Sequence, residues 1–306
     1  MKGFRERLGR SLQPIGSVLG IALFGCSVAG AEPATLQFSY LPVSASHGAQ
    51  EAMVVESGSW FTQRNLSHGA ILVEHPKGTF LFDSGLGREV DAQYAENSSW
   101  ARMLFGYTPV TPVIDQLESQ GFDVHNLMAI IPSHLHWDHA SGLVDFPGIP
   151  VWIQSAELDA AKAGHPPAYL DAQINDPRIN WVPLELDNTP FLGFPRSKDL
   201  FGDARAVLVD LAGHTPGQVG LYLAPDNGHR YLFIGDATWT YKGVEENRPR
   251  PGFVQWLVGV DADPEATRAQ VAFLHALHQK EPELVIVPAH DEWVAASLPH
   301  YPQFSD

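Results

Sequence analysis

Three histidines and one aspartate, His134, His136, Asp138 and His139, fall within six residues of the stretch Ile131-Pro132-Ser133-His134-Leu135-His136-Trp137-Asp138-His139-Ala140-Ser141-Gly142. The apolar run Leu127 to Ile131 leads into them and predicts a buried strand, which Pro132 ends. The cluster therefore stands at a strand's C-terminal end, where α/β proteins gather their chemistry. The two-residue spacing puts His134, His136 and Asp138 on one side of an extended segment and turns His139 elsewhere. Imidazole nitrogen and carboxylate oxygen suit zinc, and the divided orientation suits a second ion beside the first.

Three later stretches extend the pattern: Gly213-His214-Thr215-Pro216-Gly217, Leu232-Phe233-Ile234-Gly235-Asp236 and Val285-Ile286-Val287-Pro288-Ala289-His290. In this order, and over residues 68–291, the chain resembles the metallo-β-lactamase superfamily, whose signature is H-x-H-x-D-H. The resemblance implies an α/β fold, a four-layer αβ/βα sandwich with its site along one edge of two sheets. It also implies two divalent metal ions, zinc being suited to the donors. One falls to His134, His136 and His214, and the other to Asp138, His139 and His290, with Asp236 bridging. Asp138 and Asp236 are the implied catalytic carboxylates, Asp138 as a proton carrier to the leaving group. Asp83, in Asp83-Ser84-Gly85 after the strand Thr79 to Phe82, matches the superfamily's supporting aspartate, though a turn aspartate reads the same way.

The chain's 306 residues, 44% hydrophobic and 18% charged, fit one large globular domain, expected over residues 32–306. A net charge of −16 disfavours nucleic acid, which wants a basic surface. Residues 1–31 read as an export signal. Lys2, Arg5, Arg7 and Arg10 precede a short apolar core from Ile15 to Gly25, and Ala29-Gly30-Ala31 is an A-x-A cleavage site. A periplasmic or secreted protein with no stable membrane span is expected. The alternative is a lipoprotein anchored at Cys26, since Leu23-Phe24-Gly25-Cys26 loosely resembles a lipobox. Cys26 is the single cysteine, so cleavage after Ala31 leaves neither disulfide nor thiolate ligand.

Elsewhere, Pro76-Lys77-Gly78 signals a hairpin between Ala70 to Glu74 and Thr79 to Phe82. Residues 32–50 read as a linker and one strand, Leu36 to Leu41. Residues 86–110 read as a helix packed on the body or as a substrate lid. Thr111 to Gln120 and Asp263 to Lys280 predict helices, and residues 165–200 an irregular, Pro-rich excursion. Short strands are expected at Val151 to Ile153, Ala206 to Asp210, Gln218 to Leu223, Tyr231 to Ile234 and Glu283 to Val287.

Within the superfamily the chain is most similar to the quorum-quenching lactonase branch, by His-Leu-His-x-Asp-His, Asp236-Ala237 and His290-Asp291. That resemblance implies hydrolysis of a neutral lactone or ester with an apolar portion, by a monomer or homodimer acting on a small molecule. Trp239 stands where those lactonases place a tyrosine, with Tyr241 nearby. A phosphotriesterase- or arylesterase-like hydrolase thus stays open, as does a mononuclear iron oxygenase of the same fold. Trp100, Phe105, Trp239, Phe253 and Trp256 are the candidate walls of an apolar pocket.

Overall fold

The expected turn at Pro76-Lys77 joins strands Ser67–His75 and Gly78–Phe82, with Leu72 opposite Leu81. The structure, a computed structural model, describes residues 35–46 and 48–305. The expected export signal, with Cys26, lies outside the described residues. Around the hairpin a six-stranded sheet runs in the order Gln37–Ala45, Ser67–His75, Gly78–Phe82, Leu127–Ile131, Pro150–Ile153, Asn180–Pro183. Its first three strands are antiparallel and the rest continue in parallel. A second sheet of five strands has the order Leu284–Val287, Arg230–Phe233, Val219–Leu223, Ala206–Asp210, Ser197–Asp199.

Alternation along each strand decides the layers. Phe80 and Phe82 meet Leu208, Leu221 and Phe233 between the sheets, while Leu81 turns outward to helix Val113–Ser119. Val207 and Val209 face outward to Leu274 and Leu277 of helix Pro264–Lys280. Helix, sheet, sheet, helix is the four-layer αβ/βα sandwich. The long helix starts where expected: the Asp263 carboxylate accepts the N–H groups of Glu265 and Ala266, and Pro264 occupies the first turn.

Three segments depart from expectation. Residues 165–200 are not merely an excursion, because they supply an edge strand to each sheet and bury Leu170, Ile174 and Ile179. Strands of three or four residues between prolines carry too little periodicity to be read alone. The first strand runs to Ala45, beyond Leu41. Residues 86–110 are helical and packed on the body through Val90 and Tyr94, as one reading expected, but as two short helices, Val90–Tyr94 and Ser99–Leu104, rather than one.

Candidate metal centre

Both sheets end on the same edge of the sandwich, and each contributes residues just past its strands. Leu127–Ile131 leads to His134, Gly78–Phe82 to Asp83, Ala206–Asp210 to His214, Arg230–Phe233 to Asp236 and Leu284–Val287 to His290. Two glycines let the turns close. Gly213 has φ +149°, and a Cβ there would stand 2.8 Å from the Thr267 nitrogen. Gly235 has φ +50°, and its Cβ would meet that of Ser133 at 3.1 Å.

All seven residues expected at a metal centre converge. His134, His136 and His214 form one compact donor group, His134, His139 and Asp236 a second, and Asp138 and His290 join a third. Asp236 lies between them: its Oδ1 is 3.1 Å from His290 Nε2 and 3.4 Å from His139 Nε2, and its Oδ2 is 3.5 Å from His214 Nε2. Asp138 Oδ2 is 3.4 Å from His290 Nε2. Nε2 of His134, Nε2 of His214 and Oδ1 of Asp236 are buried without any hydrogen-bond partner. Orphaned polar atoms cost about 1–3 kcal/mol each, so atoms aimed at one point fit a cation there.

The other ring nitrogens are held from behind, which fixes where each imidazole points. His139 Nδ1 lies 3.1 Å from Asp83 Oδ2, while Asp83 Oδ1 accepts the Ser133 N–H at 2.6 Å. Asp83 therefore sits behind the centre, in left-handed backbone at φ +64°. His290 Nδ1 pairs with the Ser67 carbonyl at 2.7 Å, and His214 Nδ1 with Asp261 Oδ1 at 2.9 Å. Asp261 is itself paired with Arg250, whose Nη1 donates to the Asp236 carbonyl at 2.7 Å. Glu157 accepts the N–H of Leu135 at 2.9 Å and of Gly217 at 3.0 Å, clamping two motif loops together.

The electrostatics are those of a buried, strongly coupled cluster. Burial, and then the neighbouring histidines, hold His134 and His136 well below the ordinary imidazole pKa. Burial opposes charge on His139 too, but the carboxylates of Asp83, Asp138 and Asp236 outweigh it and hold its pKa well above. Burial likewise works against the Asp236 carboxylate, and His290 and His139 overcome it, so it stays ionised.

Asp261, Arg250, Glu157 and His68 escaped the sequence reading. None stands in a motif: Asp261 meets His214 across 47 residues and Glu157 meets Gly217 across 60, and the Arg250–Asp261 pair, eleven apart, follows no helical or strand spacing. His68 Nε2 is 3.6 Å from Asp138 Oδ2 and forms a donor group with Asp138 and His290. Burial pushes its pKa down to about 4.

A cavity of about 330 Å³ opens on the centre, reaching His68, His136, Asp138, His214, Asp236 and His290. Of the expected apolar walls, Phe105 and Trp239 line it; Trp100, Phe253 and Trp256 do not. Helix Gly252–Val258 presents Val254, Leu257 and Val258 inward at helical spacing, so Phe253 and Trp256 fall on its outer side and Trp256 is 85% exposed. Met103 and Leu104 reach the cavity from helix Ser99–Leu104, whereas Trp100, one turn earlier, stays half-exposed. Aromatic size suggested these positions; helical phase decided against them. The Tyr241 hydroxyl pairs with His278, away from the cavity, while the Trp239 N–H donates to Asp236 Oδ2.

A model of the metallo-beta-lactamase superfamily matches residues 65–290. Curated relatives include an N-acyl homoserine lactonase of Rhizobium radiobacter, 26% identical across 76% of this chain and 85% of that protein. A probable metallo-hydrolase of Mycobacterium tuberculosis is 29% identical across 72% of this chain and 73% of its own length. Among solved structures, an N-acyl homoserine lactone hydrolase with N-hexanoyl-L-homoserine at its catalytic metal centre superposes with a TM-score of 0.69. It is 22% identical and covers 88% of this chain and 98% of its own, a likeness of fold.

Proposed function

The chain belongs to the metallo-β-lactamase superfamily, and from that premise we propose that it is a dinuclear metallo-hydrolase acting on a neutral lactone or ester with an apolar portion. The observation that carries this reading is the cavity: its inner end is the histidine–carboxylate cluster, and its walls include Met53, Val54, Leu66, Met103, Phe105 and Leu257. Apolar walls fit an acyl or alkyl portion, and the net charge of −16 favours neutral substrates over polyanions. The lactonase relatives support the same class.

His134, His136 and His214 would hold one ion, and Asp138, His139 and His290 the second, with Asp236 between them. Zinc suits that donor set. Two divalent ions so held supply a water acidified toward neutral pH and a Lewis acid for the carbonyl oxygen. The residues of the chain do the rest. Asp83, Asp261 and the Ser67 carbonyl keep the imidazoles aimed. The Asp138 carboxylate, at the cavity end, would take the proton of the attacking water on the oxygen that is not a metal donor and return it to the leaving oxygen, so that one water is added across the cleaved C–O bond. The apolar walls keep other water away.

One observation favours the second reading, a phosphotriester or aryl ester hydrolase. Trp239 commits its only N–H to Asp236 and Tyr241 faces His278, so neither offers the hydroxyl that lactonases of this branch would place beside the carbonyl. The deciding experiment measures metal content together with kcat/KM for acyl lactones of rising chain length, aryl esters and phosphotriesters. Lactone turnover that rises with chain length supports the proposal; cleavage of phosphotriesters alone supports the second reading.

Export is proposed on the three-part pattern of residues 1–31. Among the described residues no helix is long and apolar enough to cross a membrane. An intact mass starting at Glu32 supports cleavage, and a lipid adduct at Cys26 supports the anchored alternative.

A further inference from the structure

We infer that His68 is a ligand of the second ion, a donor from outside the four motifs that define the centre. The inference rests on the metal-binding reading above. His68 lies at the start of strand Ser67–His75, lines the cavity and is buried. Its Nε2 stands 3.6 Å from Asp138 Oδ2, which in turn stands 3.4 Å from His290 Nε2. The three donor atoms lie within 4.8 Å of one another. Donors about 2.0–2.2 Å from one ion lie roughly 3–3.6 Å apart at angles of about 90–120°, and the edges around Asp138 fall in that range.

Packing holds the ring in this pose. It stands edge-on to His290, with centroids 5.3 Å apart, and lies 6.0 Å from the Trp137 ring. The preceding residue matters too: the Ser67 carbonyl accepts from His290 Nδ1, so one strand end both aims His290 and presents His68 beside it. His68 Nδ1 is buried without a partner, so no hydrogen bond draws the ring away from the cluster. The second ion would thus receive His68 in addition to Asp138, His139, Asp236 and His290. With more of its coordination sphere filled by protein, it would leave fewer positions open to substrate.

The test compares the full chain with His68→Phe, which keeps a ring against Trp137 and His290 but removes both nitrogens, and with His68→Ala. Zinc stoichiometry and affinity are read by chelator competition, and geometry by the visible spectrum of the cobalt-substituted protein. The parent should bind two ions. Both variants should keep the first and bind the second at least tenfold more weakly, with a changed cobalt spectrum. Second-ion affinity within twofold of the parent in His68→Phe, with an unchanged spectrum, overturns the inference. A parent that binds fewer than two ions instead overturns the dinuclear reading, and the inference with it. Should neither variant fold, a zinc-loaded crystal structure of the parent decides: Nε2 about 2.1 Å from the ion upholds the inference, and beyond 3 Å ends it.

Discussion

The indole N–H of Trp239 donates to Oδ2 of Asp236 at 2.8 Å, so the carboxylate between the two donor groups is steered by a residue three positions further along its own chain. The same indole lies under the Arg250 guanidinium, 5.1 Å from its centroid. Trp239→Phe keeps an aromatic ring at this position and deletes the donor. Outer-sphere partners of this kind are worth about 10–100-fold in metal affinity or activity, and a loss in that range is expected. Zinc affinity and kcat equal to the parent's would show that the bond does not orient Asp236.

Asp236→Ala should remove the carboxylate shared by both ions. Metal content per chain should fall, and hydrolysis by at least about 10², the effect of losing one preorganised charge-stabilising group. Elemental analysis beside initial rates checks both, and full activity in this variant would end the dinuclear reading.

Arg250 and Asp261 form a buried ion pair behind His214. Arg250→Met leaves the Asp261 charge without its counter-ion, and breaking a buried pair from one side costs about 3–5 kcal/mol. Urea unfolding of metal-free protein should show a loss of that size. A loss below 1 kcal/mol would mean that His214 alone satisfies Asp261.

Burial pushes the Asp145 carboxyl up to about 6 from an ordinary 3.8, even though the Arg88 N–H donates to it. The folded state therefore holds this proton more tightly than the unfolded chain does. Between those two values the unfolded state ionises first, so Asp145 subtracts stability as pH rises and levels off above about 6. Asp145→Asn keeps an acceptor for Arg88 and removes the titration. Its stability relative to the parent should increase from pH 4 to pH 6.5 in chelator-treated protein; a pH-independent difference would contradict the buried carboxyl.

The motif residues were legible because local sequence does two things at once there: it ends a buried strand and places donors at fixed spacing. His134 to His139, His214, Asp236 and His290 each follow such a strand, and the sandwich follows from the alternation of those same strands. What could not be read has no local signature. Glu157 reads as an ordinary first-turn acid, yet it bridges Leu135, 22 residues before it, and Gly217, 60 after it, only once both motif loops meet it. Asp261, Arg250 and His68 are single residues of the same kind. In the cavity wall the failure was one of phase: Val254, Leu257 and Val258 carry less aromatic area than Phe253 and Trp256 but stand on the inward side.

The centre draws its last donor, His290, from beyond the final strand, while His134 stands in the middle of the chain. At a synthesis rate of about 5–20 residues per second, the H-x-H-x-D-H loop waits on the order of ten seconds for the strand Leu284–Val287. Through that interval a nascent chain can offer an ion the loop, then His214 and Asp236, but not the pairing of His290 with Asp138. A chain cut short before Leu284 keeps six of the seven motif residues and lacks the clasp between its two sheets. Full metal loading thus reports that the strand Leu284–Val287 has docked and delivered His290, and mass of bound metal alone separates molecules that reach this strand from those interrupted before it.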